Sequence, residues 1–140
     1  MMAGMHETFD HTADLGLRVR AADLPSLFDE AGQGLCSMLV EDLATVRPVI
    51  SFDVVLPKDE LDLMLFDWLK ALLYHFETAK TICSRFDVRM DGADLRATAW
   101  GEPWDESRHE PAHEVKAITY HALKVERTSE GWLAEVIVDI

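Results

Sequence analysis

Apolar residues recur every three or four positions at Leu24, Leu27, Phe28, Ala31, Leu35, Met38 and Leu39, a spacing that predicts an amphipathic helix with one face on a core. Asp23 stands where a side chain can cap the first turn, and Pro25 is tolerated there because that position needs no N–H. The same spacing returns at Leu61, Met64, Leu65, Trp68, Leu72, Leu73 and Phe76, after Pro57 and with Asp59 as the expected N-cap. This second helix is the more apolar and is expected to be the more buried. Around the helices the period falls to two. Leu15 to Arg20 alternates, and Val49 to Leu56, Phe86 to Met90 and Leu95 to Trp100 are β-rich, with Asp91-Gly92 as a hairpin turn between the last two. Val115 to Glu126 and Trp132 to Val138 flank Ser129-Glu130-Gly131 and predict a second hairpin. The order, roughly ββαβαββββ, predicts a single α+β domain over residues 1–140, with mainly antiparallel sheet partly covered by two helices. Gly101 to Ala112 is the one long irregular stretch, charged and carrying Trp104, His109 and two prolines.

Composition narrows the function classes. Of 140 residues, 49% are apolar and 28% charged, enough for one core that buries about two thirds of the unfolded chain's surface. Twenty-six acids against thirteen bases give a net charge of −13, which repels phosphate backbones, so direct nucleic-acid binding is not expected. The same field favours a cation, or a partner with a basic face. Cys36 and Cys83 belong to no CxxC or zinc-type spacing and read as small buried apolar residues. No apolar run approaches the ~20 residues of a membrane span and the N-terminus carries no export-type segment, so no membrane partner and a reducing cytoplasm are expected.

Candidate chemistry lies at the ends of strands. The chain closes on Val136-Ile137-Val138-Asp139-Ile140, and Asp14 leads into the alternating Leu15 to Arg20. If Ile140 is the true terminus, Asp139 and the free α-carboxylate are two anionic groups one residue apart, with Asp14 as a third. Carboxylates held together repel, and a divalent cation relieves the repulsion. No serine elbow, phosphate loop or Walker lysine occurs; Gly32 and Gly34 fall within the first helical pattern as packing residues, and His75 is expected as a cation near the end of the second helix.

Three blocks go further. DHTADLGLRV (Asp10 to Val19), HEVKAITYHAL (His113 to Leu123) and WLAEVIVDI (Trp132 to Ile140) resemble, in order, the signature blocks of the archease family, with counterparts between them at Leu27 to Leu35, Leu65 to Tyr74 and Gly101-Glu102-Pro103 with His109. The resemblance implies metal ligands at Asp14, at Asp139 and at the terminal carboxylate of Ile140. An all-oxygen set suits Ca2+ foremost, with Mg2+ or Mn2+ as alternatives, and disfavours a thiolate-type zinc site. His11, Glu102, His109, Lys116 and His121 fall in the matching blocks and would support the metal or touch a partner. Each also has a plain reading: a hydrogen-bonded histidine, a solvated loop acid at Glu102, or a lysine reaching solvent at Lys116. Lys70-Ala71 departs from the polar-acidic pair of many relatives, which removes any contact made there.

The resemblance further implies a non-catalytic protein cofactor of an RtcB-type RNA ligase in tRNA splicing, promoting guanylylation and multiple turnover while the ligase holds the RNA. Two other classes fit the residues less closely. One is a small metal-dependent phosphoesterase built on Asp14, Asp139 and a histidine, recognisable by turnover of a phosphate ester by the chain alone. The other is a general protein-binding or chaperone module, which keeps its clients after both acids are removed.

Overall fold

The computed structural model describes residues 4–11, 14–91 and 94–140. Along the chain run β1 (Met5–His11), β2 (Asp14–Ala21), α1 (Leu24–Leu39), a 3-10 turn (Leu43–Thr45), β3 (Ile50–Leu56), α2 (Leu61–Ala79), β4 (Thr81–Asp91), β5 (Asp94–Pro103), β6 (Ala117–Ile118), β7 (Lys124–Thr128) and β8 (Gly131–Asp139). One antiparallel sheet has the order β1-β2-β8-β6, with β7 also paired to β8; the other has the order β3-β5-β4. The α+β architecture is as the sequence predicts.

α1 forms where its period and cap predict. Asp23 Oδ1 accepts the Ser26 N–H at 2.9 Å, and Pro25 lies in the first turn. Its buried residues, among them Leu27, Phe28, Ala31 and Leu35, let it pack against β1, β2 and β8 on one side and β4 and α2 on the other. α2 adds Trp68, fully buried, whose indole N–H donates to Phe28 O at 2.8 Å and whose ring meets Phe86 edge-on. A buried indole with its N–H satisfied joins the two helices without an orphaned donor.

Several sequence expectations are corrected. Glu60, not Asp59, is the N-cap residue of α2; Asp59 turns back and accepts Glu60's own N–H at 2.8 Å. β4 starts at Thr81, five residues ahead of Phe86, because Lys80 takes a left-handed φ of 53° and turns the chain from helix directly into strand. His75 is not in the last turn of α2 but stacks on Phe52, ring centroids 3.6 Å apart. The expected strand from Val115 to Glu126 is divided into β6 and β7 by a turn in which Ala122 has φ 54° and Leu123 N–H bonds Tyr120 O. That division adds one strand to the expected order. β4 and β5 pair antiparallel up to Asp91 opposite Asp94, as a hairpin requires, while Gly92 itself lies outside the described residues. Cys36 and Cys83 are both buried and free, as expected. Among the described residues no helix is long and apolar enough to cross a membrane.

Candidate functional site

Strand register brings the two predicted acids together. β2 and β8 are antiparallel, and Asp14 lies directly opposite Asp139. In such a pair the Cβ atoms are about 5 Å apart, so both carboxylates leave the sheet on one face and repel. Which face is fixed by alternation: Leu15, Leu17, Val19 and Ala21 of β2 and Ala134, Val136 and Val138 of β8 are buried. α1 packs on that side, since a Cβ at Gly34 would fall 2.6 Å from Leu17. Asp14 and Asp139 are thus on the opposite, outer face.

That face is organised in rows across the strands. Next to the acid pair come Phe9, Gly16 and Ile137, partners in register. The Phe9 ring lies over Gly16 so closely that a Cβ there would be 2.2 Å from it, and Ile137 is buried although it faces away from the helices. The acids therefore border an apolar floor, which lowers the local dielectric and strengthens their repulsion. One row further, Glu7, Arg18, Glu135 and Lys124 form a charged ladder over four strands, with Arg18 bonding Glu7 at 3.0 Å and Glu135 at 2.6 Å, and Lys124 reaching Glu135 at 3.3 Å. Burial pushes the Glu135 carboxyl up, but the bonds from Arg18 and Lys124 outweigh it and hold the group below its ordinary range. The cations of the ladder are engaged by the acids of their own row.

Other signature residues gather at the same end of β8 through their backbone. Lys116 N–H donates to Asp139 O at 2.7 Å, and its side chain is exposed. Thr119 donates twice to Ile137 O, from N–H at 3.1 Å and from its hydroxyl at 2.7 Å, and Thr119 Oγ1 in turn accepts the exposed His121's N–H. His11 is the register partner of Asp14, but its side chain lies outside the described residues.

Glu102 and His109 belong elsewhere. Glu102 is not a solvated loop acid: it is 5% exposed, and it receives Arg108, the Arg47 N–H at 2.8 Å and His109 Nε2 at 2.9 Å. His109 is 2% exposed, too deep to meet a partner surface. Its Nδ1 accepts the Asp105 N–H at 2.9 Å, so Nε2 carries the ring proton and donates it to Glu102. The Arg108 bond, with help from the other donors, brings the Glu102 carboxyl down to about 2 against the opposing effect of burial. This is a latch that ties the segment after β5 to the chain before β3. Beyond it the segment bonds the end of α1, through Ala112 N–H to Leu39 O and His113 N–H to Met38 O, and arrives at Asp139 through Lys116. Sequence reasoning missed Arg108, Arg47 and the Phe9-Gly16-Ile137 floor; the only signal for the latch was an acid at 102 with Arg-His six and seven residues on.

The Asp14 and Asp139 side chains offer carboxylate oxygens, which fit a hard divalent cation. Among the described residues no three His, Cys, Asp or Glu side chains converge as a metal cluster, so the pair by itself is an incomplete ligand set.

Residues 6–140 match the family model described as the Archease protein family. The chain belongs to the archease family. It is 33% identical over 139 residues to the archease of Pyrococcus furiosus, covering 96% of this chain and 97% of that one. It is 37% identical over 138 residues to the archease of Methanopyrus kandleri, covering 96% and 98%. Among solved structures, the solution structure of protein 1598 of Methanobacterium thermoautotrophicum superposes with a TM-score of 0.84 at 29% identity over 96% of this chain and 98% of that one. The crystal structure of an archease from Thermotoga maritima, described as a possible chaperone, gives 0.69 at 21% identity over 96% of both chains and shares the fold.

Proposed function

We propose that this archease is a non-catalytic protein cofactor that activates an RtcB-type tRNA-splicing RNA ligase, promoting its guanylylation and multiple turnover through an acidic, metal-binding tip. The observation that supports it is the direct opposition of Asp14 and Asp139 at one end of the outer sheet face, in a chain matched to the family from residue 6 to residue 140. Two like charges in one cross-strand pair cost stability, and a bound cation turns that cost into affinity. In this reading Asp14, Asp139 and the terminal carboxylate of Ile140 hold a divalent ion, Ca2+ foremost, or Mg2+ or Mn2+. The ion would supply positive charge for a phosphate or nucleotide in the ligase site. The Ile140 side chain packs against the core, and in this reading that contact holds the terminal carboxylate beside Asp139. Lys116 and Thr119 fix the β8 backbone on which both sit. The net charge of −13 leaves RNA to the ligase, and the reading places both proteins in the cytoplasm.

Calorimetric titration with Ca2+ tests the tip. The native chain is expected to bind; a chain extended after Ile140, which replaces a carboxylate by a neutral amide, is expected to bind more weakly, and an N-terminal extension is expected to have no effect. Equal affinity in all three removes the terminal carboxylate from the ligand set.

A further inference from the structure

The outer sheet face carries a second feature at its other end. A cavity of about 440 Å³ opens there, lined by Met5, Arg20 and Leu133 of that face, by Trp132 next in the chain, and by Ser129 and Glu130 of the β7–β8 turn. It lies within the range of small-molecule sites, about 300–1,000 Å³. Arg20 pairs with Leu133 and Asp14 with Asp139, six residues apart along β2, or about 20 Å at ~3.3 Å per residue. The two sites are therefore separate.

The cavity is built by the local backbone. Gly131 has φ +139° and lies against the end of β2, where a Cβ would fall 2.3 Å from Ala21 O, so the β7–β8 turn is pressed onto the sheet. Met5 is 62% exposed, an apolar side chain left at the mouth. Arg20 is the unusual member. Arg18, two residues away on the same face, is held by two carboxylates, yet Arg20 makes no ion pair among the described residues, in a chain with twice as many acids as bases. An unengaged guanidinium beside the aliphatic side chains of Met5 and Leu133 is a complement for an anion with an apolar body.

We propose that this cavity binds a small amphipathic carboxylate, its aromatic or aliphatic body against Leu133 and Met5 and its carboxylate on Arg20. Matched probes of opposite charge test it by amide NMR titration: phenylbutyrate and phenylbutylammonium share a body and differ in the head group. The overall charge of −13 favours the ammonium everywhere on the surface, so preference for the anion has to come from the cavity. The expected result is saturable shifts at Arg20, Ala21 and residues 129–133 with phenylbutyrate, affinity at least about tenfold weaker for phenylbutylammonium, and about tenfold loss in Arg20→Gln, the loss of a charged hydrogen bond. If Arg20→Gln lowers the melting temperature, Arg20→Lys decides, since it keeps the charge and should keep part of the affinity. Equal binding of both probes, absence of saturable shifts at these residues, unchanged affinity in Arg20→Gln, or full loss in a folded Arg20→Lys overturns the proposal.

Discussion

Glu102 shows how far a side chain's role depends on what surrounds it. A glutamate between glycine and proline in a polar stretch reads equally as a ligand or as a solvated acid, and neither reading anticipates three donors converging on it. Glu102→Ala leaves the Arg47 N–H and the His109 Nε2–H without their acceptor, and each unmet buried donor costs about 1–3 kcal/mol. A loss of roughly 3 kcal/mol in denaturant unfolding is expected; a change below ~1 kcal/mol shows that the latch contributes little. The pH dependence has a definite sign. Because the folded carboxyl lies near 2 and its ordinary value is 4.5, the stabilisation is complete above about pH 4.5 and is lost as pH falls towards 2. Native protein should therefore exceed Glu102→Gln in stability by a constant margin above that point, and the two should converge as the pH falls below it. At Cys83, burial pushes the thiol up to about 12, and Cys36 is raised by the same cause. A thiol-specific chromogenic reagent is expected to label neither in the folded protein and both after denaturation, whereas prompt labelling of the native chain contradicts their burial.

Elements were legible where one period runs unbroken from a recognisable cap. α1 has both, and its position agrees with the spacing of its apolar residues. The first half of β4 was hidden because the register shifts between Cys83 and Arg85, and a bulge breaks the alternation that marks a strand. The run after Val115 looked continuous because Ala122 gives no sign that it takes a positive φ; a glycine or asparagine there would have marked the turn. Ser129-Glu130-Gly131 did mark one. Gly131→Ala is expected to destabilise by more than ~1 kcal/mol, since an L side chain is strained at its φ and its Cβ meets the Ala21 carbonyl; a neutral effect in thermal unfolding would show that the turn can lift off β2.

At the scale of the whole molecule, strands distant in sequence assemble the candidate site, and this is why the sequence disclosed its members but not its geometry. Asp14 and Asp139 are 125 positions apart, and only the β2–β8 register shows that they are direct neighbours. The resemblance in the signature blocks pointed to both acids, while the apolar row beside them and the separation of Glu102 and His109 from them follow from strand pairing alone. The distribution of charge has its own consequence: the isolated chain is expected to show no measurable tRNA affinity at physiological salt, and a fluorescence titration with micromolar affinity that weakens with salt would contradict it.

Multiple-turnover ligation by an RtcB-type RNA ligase, with and without this archease, is the most direct test of the central claim. The native chain is expected to raise turnover, and Asp14→Asn and Asp139→Asn are each expected to abolish that stimulation while melting no lower than the native chain, because each substitution relieves the repulsion of a like-charged pair. Full stimulation by either folded variant, or no stimulation by the native chain, contradicts the account.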